Sequence, residues 1–110
     1  MGDLAARWQE DVIDLRPDVL SVFVGTNDAE RHLGRLLRAD DPKTVPDFDF
    51  ADWERTYRGL LDRARQANPA LKIVLCTPFA APCGKIVEGA LGEYYPLRQR
   101  ILAQCCVIVE

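Results

Sequence analysis

Two short apolar runs, each preceded by a helical pattern, constrain the fold of this chain more than any other feature. The first run covers residues 18–24 and the second covers Lys72–Cys76. Apolar and polar residues do not alternate cleanly in the first run, which is typical of a strand in a parallel sheet. The sequence therefore predicts two strands that are buried on both faces.

Apolar residues at helical spacing predict the helices that join and flank these strands. Their approximate ranges are 3–15, 29–38, 49–67 and 94–104. Asp3 is a candidate N-cap of the first helix, and Asp49 or Asp52 lies near the start of the third. The segment between the second and third helices contains two prolines and several acidic residues, and we expect it to form a loop.

A third strand is predicted at residues 106–109, so that helices and strands alternate along the chain. Strands that are joined through helices pair in parallel, with right-handed crossovers. The sequence therefore predicts a single three-layer α/β domain over residues 1–110.

Composition and charge exclude several classes of partner. The chain has 17 acidic and 14 basic residues and a formal net charge of -3, with no basic stretch, so we expect no nucleic-acid partner. No apolar run is long enough to cross a bilayer, and the N-terminus does not resemble a signal peptide. These features predict no membrane partner and a cytoplasmic location.

The sequence also predicts that the chain holds no metal or cofactor. The four cysteines lack zinc-type spacing, His32 is the only histidine, and there is no glycine-rich phosphate loop. We therefore expect free thiols in a reducing compartment. The acidic residues between positions 40 and 49 are most simply a solvated stretch.

Candidate binding residues follow the two predicted strands, because ligands of open α/β sheets bind at the carboxyl ends of the strands. Gly25-Thr26-Asn27-Asp28 follows the first strand. The loop of residues 77–84 follows the second strand and begins with Thr77, Pro78 and Phe79. We predict that Thr26, Asp28, Pro78 and Phe79 contact a substrate.

The Gly25–Asp28 stretch has two interpretations. In one it is a turn, with Asp28 as the N-cap of the next helix. In the other, which rests on the family resemblance described next, the side-chain amide of Asn27 stabilises the negative charge that develops on a carbonyl under attack, while Gly25 allows the tight turn. From spacing alone, the turn is favoured.

The chain nevertheless resembles the SGNH (GDSL-type) esterase and acylhydrolase family. Residues 8–12, the Arg16-Pro17-Asp18 turn and a strand that ends in Gly25-x-Asn27-Asp28 are similar to the region of the family's third signature block. Residues 68–79 resemble the helix, strand and loop that follow in bacterial members. The resemblance implies a flavodoxin-like parallel sheet, of which this chain would contain about three of five strands.

The resemblance also implies hydrolysis of a small-molecule ester through a serine ester, with Asn27 as an oxyanion-hole donor and Gly25 supporting the turn. Family members carry the serine in a Gly-Asp-Ser block and the other triad residues in an Asp-x-x-His block, and this sequence contains neither. Ser21 and His32 are the only serine and histidine, and we expect Ser21 to lie mid-strand and His32 to face solvent. The sequence thus predicts a truncated form that is inactive alone.

A second hypothesis is a non-catalytic α/β module that binds a small ligand or pairs with another chain. In the family topology, the strand that contains Ser21 would neighbour a strand that is missing here. Its bare edge would be a site for self-association.

Overall fold

A computed structural model of the chain describes residues 1–109, apart from the side chains of residues 85 and 86. Glu110, which ends the predicted domain, lies outside the described residues. The chain divides into two compact units. The first unit comprises residues 1–23 and 49–76, and the second comprises residues 24–48 and the chain from residue 77 onward.

The first unit contains a small parallel sheet. Strand β1 spans Val19–Phe23 and strand β2 spans Lys72–Cys76. The two strands pair in parallel, with Val19 opposite Lys72 and Phe23 opposite Cys76. The mixture of helices with parallel strands confirms the predicted α/β class, and both strands fall within the predicted ranges.

The predicted burial of both sheet faces is wrong. Val19 and Phe23 expose more than half of their side chains and Val74 exposes half, whereas Val22 is buried. Successive side chains of a strand point to opposite faces, so Val19 and Phe23 lie on the face opposite to that of Val22. One face of the sheet is therefore covered far better than the other.

Two helices of the first unit supply most of its buried residues. Helix α1 spans Gly2–Trp8 and continues into a π-helical turn at Gln9–Ile13, and helix α3 spans Phe50–Ala67. The buried apolar residues of this unit are Trp8, Val12, Val22, Trp53, Tyr57, Leu60, Ala64 and Leu71. The four that lie on α3 recur every three or four positions, as helical spacing requires.

The N-cap of α3 agrees with the sequence prediction, whereas the N-cap of α1 differs from it. The Asp49 carboxylate caps α3 by accepting a hydrogen bond of 2.8 Å from the backbone N–H of Asp52. Asp3 is not the N-cap of α1, because that helix begins at Gly2 and Met1 occupies the N-cap position. Asp3 lies instead in the first turn, where a carboxylate still favours the positive end of the helix.

The second unit is built around helices α2 and α5, which pack on each other. Helix α2 spans Thr26–Arg38, the short helix α4 spans Gly89–Glu93, and helix α5 spans Tyr95–Val109. Short 3-10 turns lie at Pro42–Thr44 and Gly84–Val87. The buried apolar side chains of the two long helices are Ala29, Leu33, Leu36, Ile101, Leu102, Cys105 and Val109.

The predicted third strand is wrong, because residues 106–109 continue helix α5. The buried positions of this helix, Arg98, Ile101, Leu102, Cys105 and Val109, follow a helical period through its end. A short apolar run fits either a strand or a buried helix, so its β-branched residues misled the prediction. Within the described residues the sheet has two strands, and the expected three-stranded flavodoxin-like arrangement is not seen.

Among the described residues, no helix combines the length and the apolar character that crossing a bilayer requires.

Candidate functional site

The Gly25–Asp28 stretch forms the start of helix α2 rather than a separate turn. Gly25 is the N-cap, with φ of 119°, a backbone conformation that residues with a Cβ rarely adopt. The first bond of the helix runs from the N–H of Ala29 to the carbonyl of Gly25, at 3.0 Å. Asp28 is therefore a residue of the first turn and not the N-cap.

The first turn of α2 concentrates hydrogen-bond donors. Backbone N–H groups in a first helical turn have no acceptor within the helix, and the end of the helix carries a partial positive charge. Gly25, the N-cap residue, has no side chain that could accept a hydrogen bond from these groups. Oxyanions are stabilised at such ends because the donors and the dipole act in the same direction.

Asn27 is the second residue of α2, and its side chain is exposed. Within the described part of the chain, no side-chain hydrogen bond or ion pair engages its carboxamide. The carboxamide is therefore accessible to a ligand, and its N–H groups add to the donors of the first turn.

A hydrogen bond joins the two segments in which the sequence predicted a site. The Thr26 hydroxyl donates to the carbonyl of Phe79 at 3.3 Å. Both residues belong to the second unit, so this contact lies within one compact body. The structure thus brings together Thr26, at the start of α2, and the loop that follows β2.

The loop after β2 is held at three successive carbonyl groups. The Cys106 thiol donates to Pro78 at 3.3 Å, and the Gln99 side-chain amide donates to Ala80 at 3.0 Å. The Thr26 hydroxyl binds the carbonyl between them. Pro78 is buried, whereas the aromatic ring of Phe79 is 68% exposed. The backbone of this loop is therefore fixed, and it presents an accessible aromatic ring.

Helix α5 also binds helix α2 through an ion pair. The guanidinium of Arg98 is completely buried, and its Nε and Nη2 donate to the two carboxylate oxygens of Glu30. The ring of Tyr95 lies 5.9 Å from the Arg98 guanidinium. Sequence reasoning missed Arg98, Gln99 and Cys106, because no local pattern links them to partners between 19 and 68 residues away.

Cys105 is a neutral thiol at physiological pH. Burial above all, together with the nearby Asp28 carboxylate and Cys106, raises its pKa to about 12. A thiolate is needed for nucleophilic attack, so Cys105 serves as a packing residue. All four cysteines are free thiols.

Neither Ser21 nor His32 has the surroundings of a catalytic pair. Ser21 is exposed on β1, and its hydroxyl lies 3.7 Å from the Cys76 sulfur. The prediction that His32 faces solvent is wrong, because His32 is buried and packs edge-on against Phe48. Its Nδ1 has no hydrogen-bond partner among the described residues.

The pKa of His32 lies below its usual value of 6.5, mainly because burial disfavours the charged imidazolium. Arg35 lowers the pKa of His32 further, and Asp47 opposes both effects. The neutral imidazole is therefore favoured in the folded chain. It is packed against an aromatic ring rather than hydrogen-bonded to a serine.

Comparison with known proteins identifies the class to which this chain belongs. Residues 1–104 match the model of the GDSL-like Lipase/Acylhydrolase family, and the chain therefore belongs to this family of ester hydrolases. The chain is similar to an acetylxylan esterase of Geobacillus stearothermophilus, with 38% identity over 99 residues. The match covers 88% of this chain and 37% of the relative. No solved structure gives a significant match.

Proposed function

We propose that this chain forms the oxyanion-binding part of an ester hydrolase, with Asn27 as a hydrogen-bond donor. The observation that carries the proposal is the accessible carboxamide of Asn27 in the uncapped first turn of α2. The family membership supports the reaction class, since the matched stretch includes residues 25–28.

In this mechanism a serine hydroxyl attacks the carbonyl carbon of the ester, and the carbonyl oxygen acquires a negative charge. The Asn27 amide donates a hydrogen bond to that oxygen, and the positive end of α2 stabilises the same charge. Collapse of the tetrahedral intermediate breaks the bond to the alcohol, which leaves with the proton that the serine gave up, and an acyl-serine remains. Water then attacks the acyl-serine, which releases the carboxylic acid and restores the serine hydroxyl. Asn27 stabilises the tetrahedral intermediate of this second step in the same way.

The proposed substrate is an acetyl or short acyl ester of a carbohydrate or small alcohol. Similarity to an acetylxylan esterase supports this class. The exposed ring of Phe79 offers an apolar surface for a sugar or a short acyl chain. Contact of the substrate with Thr26, Asp28 and Pro78 stays a prediction.

We further propose that the chain alone does not turn over esters. The hydroxyl of Ser21 contacts a thiol rather than a base, and the imidazole of His32 is buried against Phe48. A serine that is not activated by a base is a weak nucleophile. Purified chain should therefore hydrolyse 4-nitrophenyl acetate at the background rate. Turnover that disappears in Ser21→Ala would contradict this proposal.

The role of Asn27 can be tested in a chimera in which this chain replaces the matching region of the acetylxylan esterase. We expect Asn27→Ala to lower kcat by roughly 10²–10³-fold with little change in KM, which is typical of losing one oxyanion donor. Gln66→Ala removes another exposed carboxamide, on α3, and should leave both constants unchanged. If Asn27→Ala keeps the kcat of the parent chimera, the proposed role is wrong.

Pairing with a second copy of the chain is an alternative function that one observation favours. Within the described residues, the sheet consists of β1 and β2 alone, so each strand has one edge with no neighbouring strand. Such edges can pair with a strand of another molecule. Size-exclusion chromatography of the chain should then show a dimer or larger species, and a monomer at high concentration would contradict this alternative.

A further inference from the structure

We infer that Arg98 is a positioning residue for Asn27: its ion pair with Glu30 fixes the rotation of helix α2 and so the direction of the Asn27 amide. The catalytic value of this arrangement rests on the proposed oxyanion role of Asn27. The positioning itself can be tested without any esterase activity.

The geometry of the ion pair makes it an orienting contact. Two nitrogens of the Arg98 guanidinium each bind a different oxygen of the Glu30 carboxylate. A pair with two parallel hydrogen bonds fixes the relative orientation of its groups as well as their separation. A lysine at this position would keep the charge and lose the planar fork, since its ammonium is a point charge.

The place of Glu30 on α2 connects this contact to the candidate donor. Glu30 lies three residues after Asn27, so the two residues share one face of the helix and are separated by roughly 4.5 Å along its axis. Any rotation of α2 about its axis would move both residues together. The anchor therefore lies within one turn of the group that it orients.

The burial of Arg98 suggests a role beyond stability. Arg98 is completely buried, whereas Glu30 keeps 40% of its side chain exposed. Removing a guanidinium from water is costly, and well-packed apolar residues often stabilise a fold equally well. An apolar residue cannot, however, donate oriented hydrogen bonds to a carboxylate. A requirement for orientation accounts for this choice of residue.

The neighbouring residue of α5 fixes the other segment of the site. Gln99 donates to the carbonyl of Ala80, and about two turns further along the helix Cys106 donates to the carbonyl of Pro78. A single helix thus contacts α2 through Glu30, which lies just after the first turn, and the Phe79 loop through two carbonyl groups. Arg98 supplies the first of these connections.

Selective ¹⁵N labelling of asparagine provides a direct readout, because Asn27 and Asn68 are the only two asparagines of the chain. Asn68 is an internal reference in the first unit, where its side-chain amide donates to the carbonyl of Pro17 at 3.2 Å. We expect Arg98→Lys to move the backbone and side-chain signals of Asn27 and to lower its ¹H–¹⁵N NOE. The signals of Asn68 should not move.

Matched variants separate orientation from general loss of stability. Arg100→Lys makes the same substitution at an exposed position of α5 and should move neither asparagine. Glu30→Gln removes the charge from the other partner and should move the Asn27 signals in the same direction, so a poorly folded Arg98→Lys does not end the test. If both variants of the pair lower the melting temperature and leave the Asn27 signals in place, the pair is merely structural and the inference is wrong.

The chimera adds a second, independent measurement. Arg98→Lys should lower kcat by about ten- to a hundred-fold with little change in KM, as expected for a misplaced donor. Combined with Asn27→Ala it should cost no more than Asn27→Ala alone, since both changes remove the same interaction. Additive losses would overturn the inference.

These two measurements also distinguish the inference from the proposed function. If the Asn27 signals move but Asn27→Ala keeps full kcat, the positioning is correct and the oxyanion role is wrong. If Asn27→Ala lowers kcat but the Asn27 signals are unchanged in the Arg98 variant, the oxyanion role is correct and the positioning by Arg98 is wrong.

Discussion

Different kinds of contact stabilise the interior of each of the two compact units. In the first unit the buried side chains are apolar or aromatic, and Trp53 stacks on Tyr57 with ring centroids 5.2 Å apart. In the second unit a partly buried ion pair and three side-chain hydrogen bonds to backbone carbonyls accompany the apolar core. The candidate site lies in the second unit, where polar contacts fix the backbone.

This difference shows why stability and site geometry depend on separate residues. Apolar contacts are non-directional and tolerate small shifts, so they set how firmly an element is held. Hydrogen bonds depend on angle and distance, so they set how an element is oriented. A donor aimed at a developing charge needs the second kind of contact.

The largest effect on stability is expected in the first unit. Trp53 is buried, and we expect Trp53→Ala to lower the free energy of unfolding by about 3–5 kcal/mol, because it removes apolar burial and leaves a cavity. Urea denaturation followed by circular dichroism measures this loss. Leu15→Ala at an exposed position should change the free energy by less than about 0.5 kcal/mol. If Trp53→Ala lowered the free energy of unfolding no more than Leu15→Ala does, the buried side chain of Trp53 would not be a main source of the stability of this unit.

A smaller effect on the free energy of unfolding, which depends on pH, is expected from His32. It is the only histidine of the chain and belongs to the second unit. The pKa of His32 is lowered from 6.5 by burial, so below pH 6.5 the unfolded chain binds more protons than the folded chain. The free energy of unfolding should therefore fall as the pH decreases from 7 towards 5.

The matched variant for this test is His32→Leu, which removes the titrating group and keeps an apolar side chain against Phe48. Its unfolding free energy should depend less steeply on pH over the same range. Parallel curves for the parent chain and the variant would show that His32 does not contribute to the pH dependence.

The smallest effect is expected at the cap of α3 in the first unit. Asp49→Ala removes the acceptor for the N–H of Asp52 and should cost about 1 kcal/mol of unfolding free energy. Asp49→Asn keeps an acceptor at the same place and should be nearly neutral. Equal losses in both variants would point to the charge of Asp49, rather than to its hydrogen bond, as the stabilising feature.

The sequence predicted the first unit better than the second for the same physical reason. Periodicity reports which side chains face an apolar core, and it located α3, β1 and β2 correctly. It does not report polar pairs between distant residues, such as Arg98 with Glu30. It also cannot tell a short apolar run at the end of α5 from a strand, because both satisfy the same burial requirement.

The sequence predicted the position of the candidate site better than the conformation of its residues. The strand-end rule directed attention to Thr26 and Phe79, which the structure joins by a hydrogen bond. The early start of α2 was missed, because Gly25 and Asn27 are typical turn residues. The burial of His32 was missed as well, since its contact with Phe48 spans 16 positions that contain two prolines and no clear pattern.

The unequal accessibility of the four thiols has a practical consequence. Cys83 is exposed in the loop after β2, while Cys105 is buried with its pKa raised to about 12 and is inert to alkylating reagents at neutral pH. A brief treatment with a maleimide dye would therefore attach a fluorophore at Cys83 first. The unaltered chain already carries its own attachment point for an optical probe, three residues from the carbonyl of Ala80.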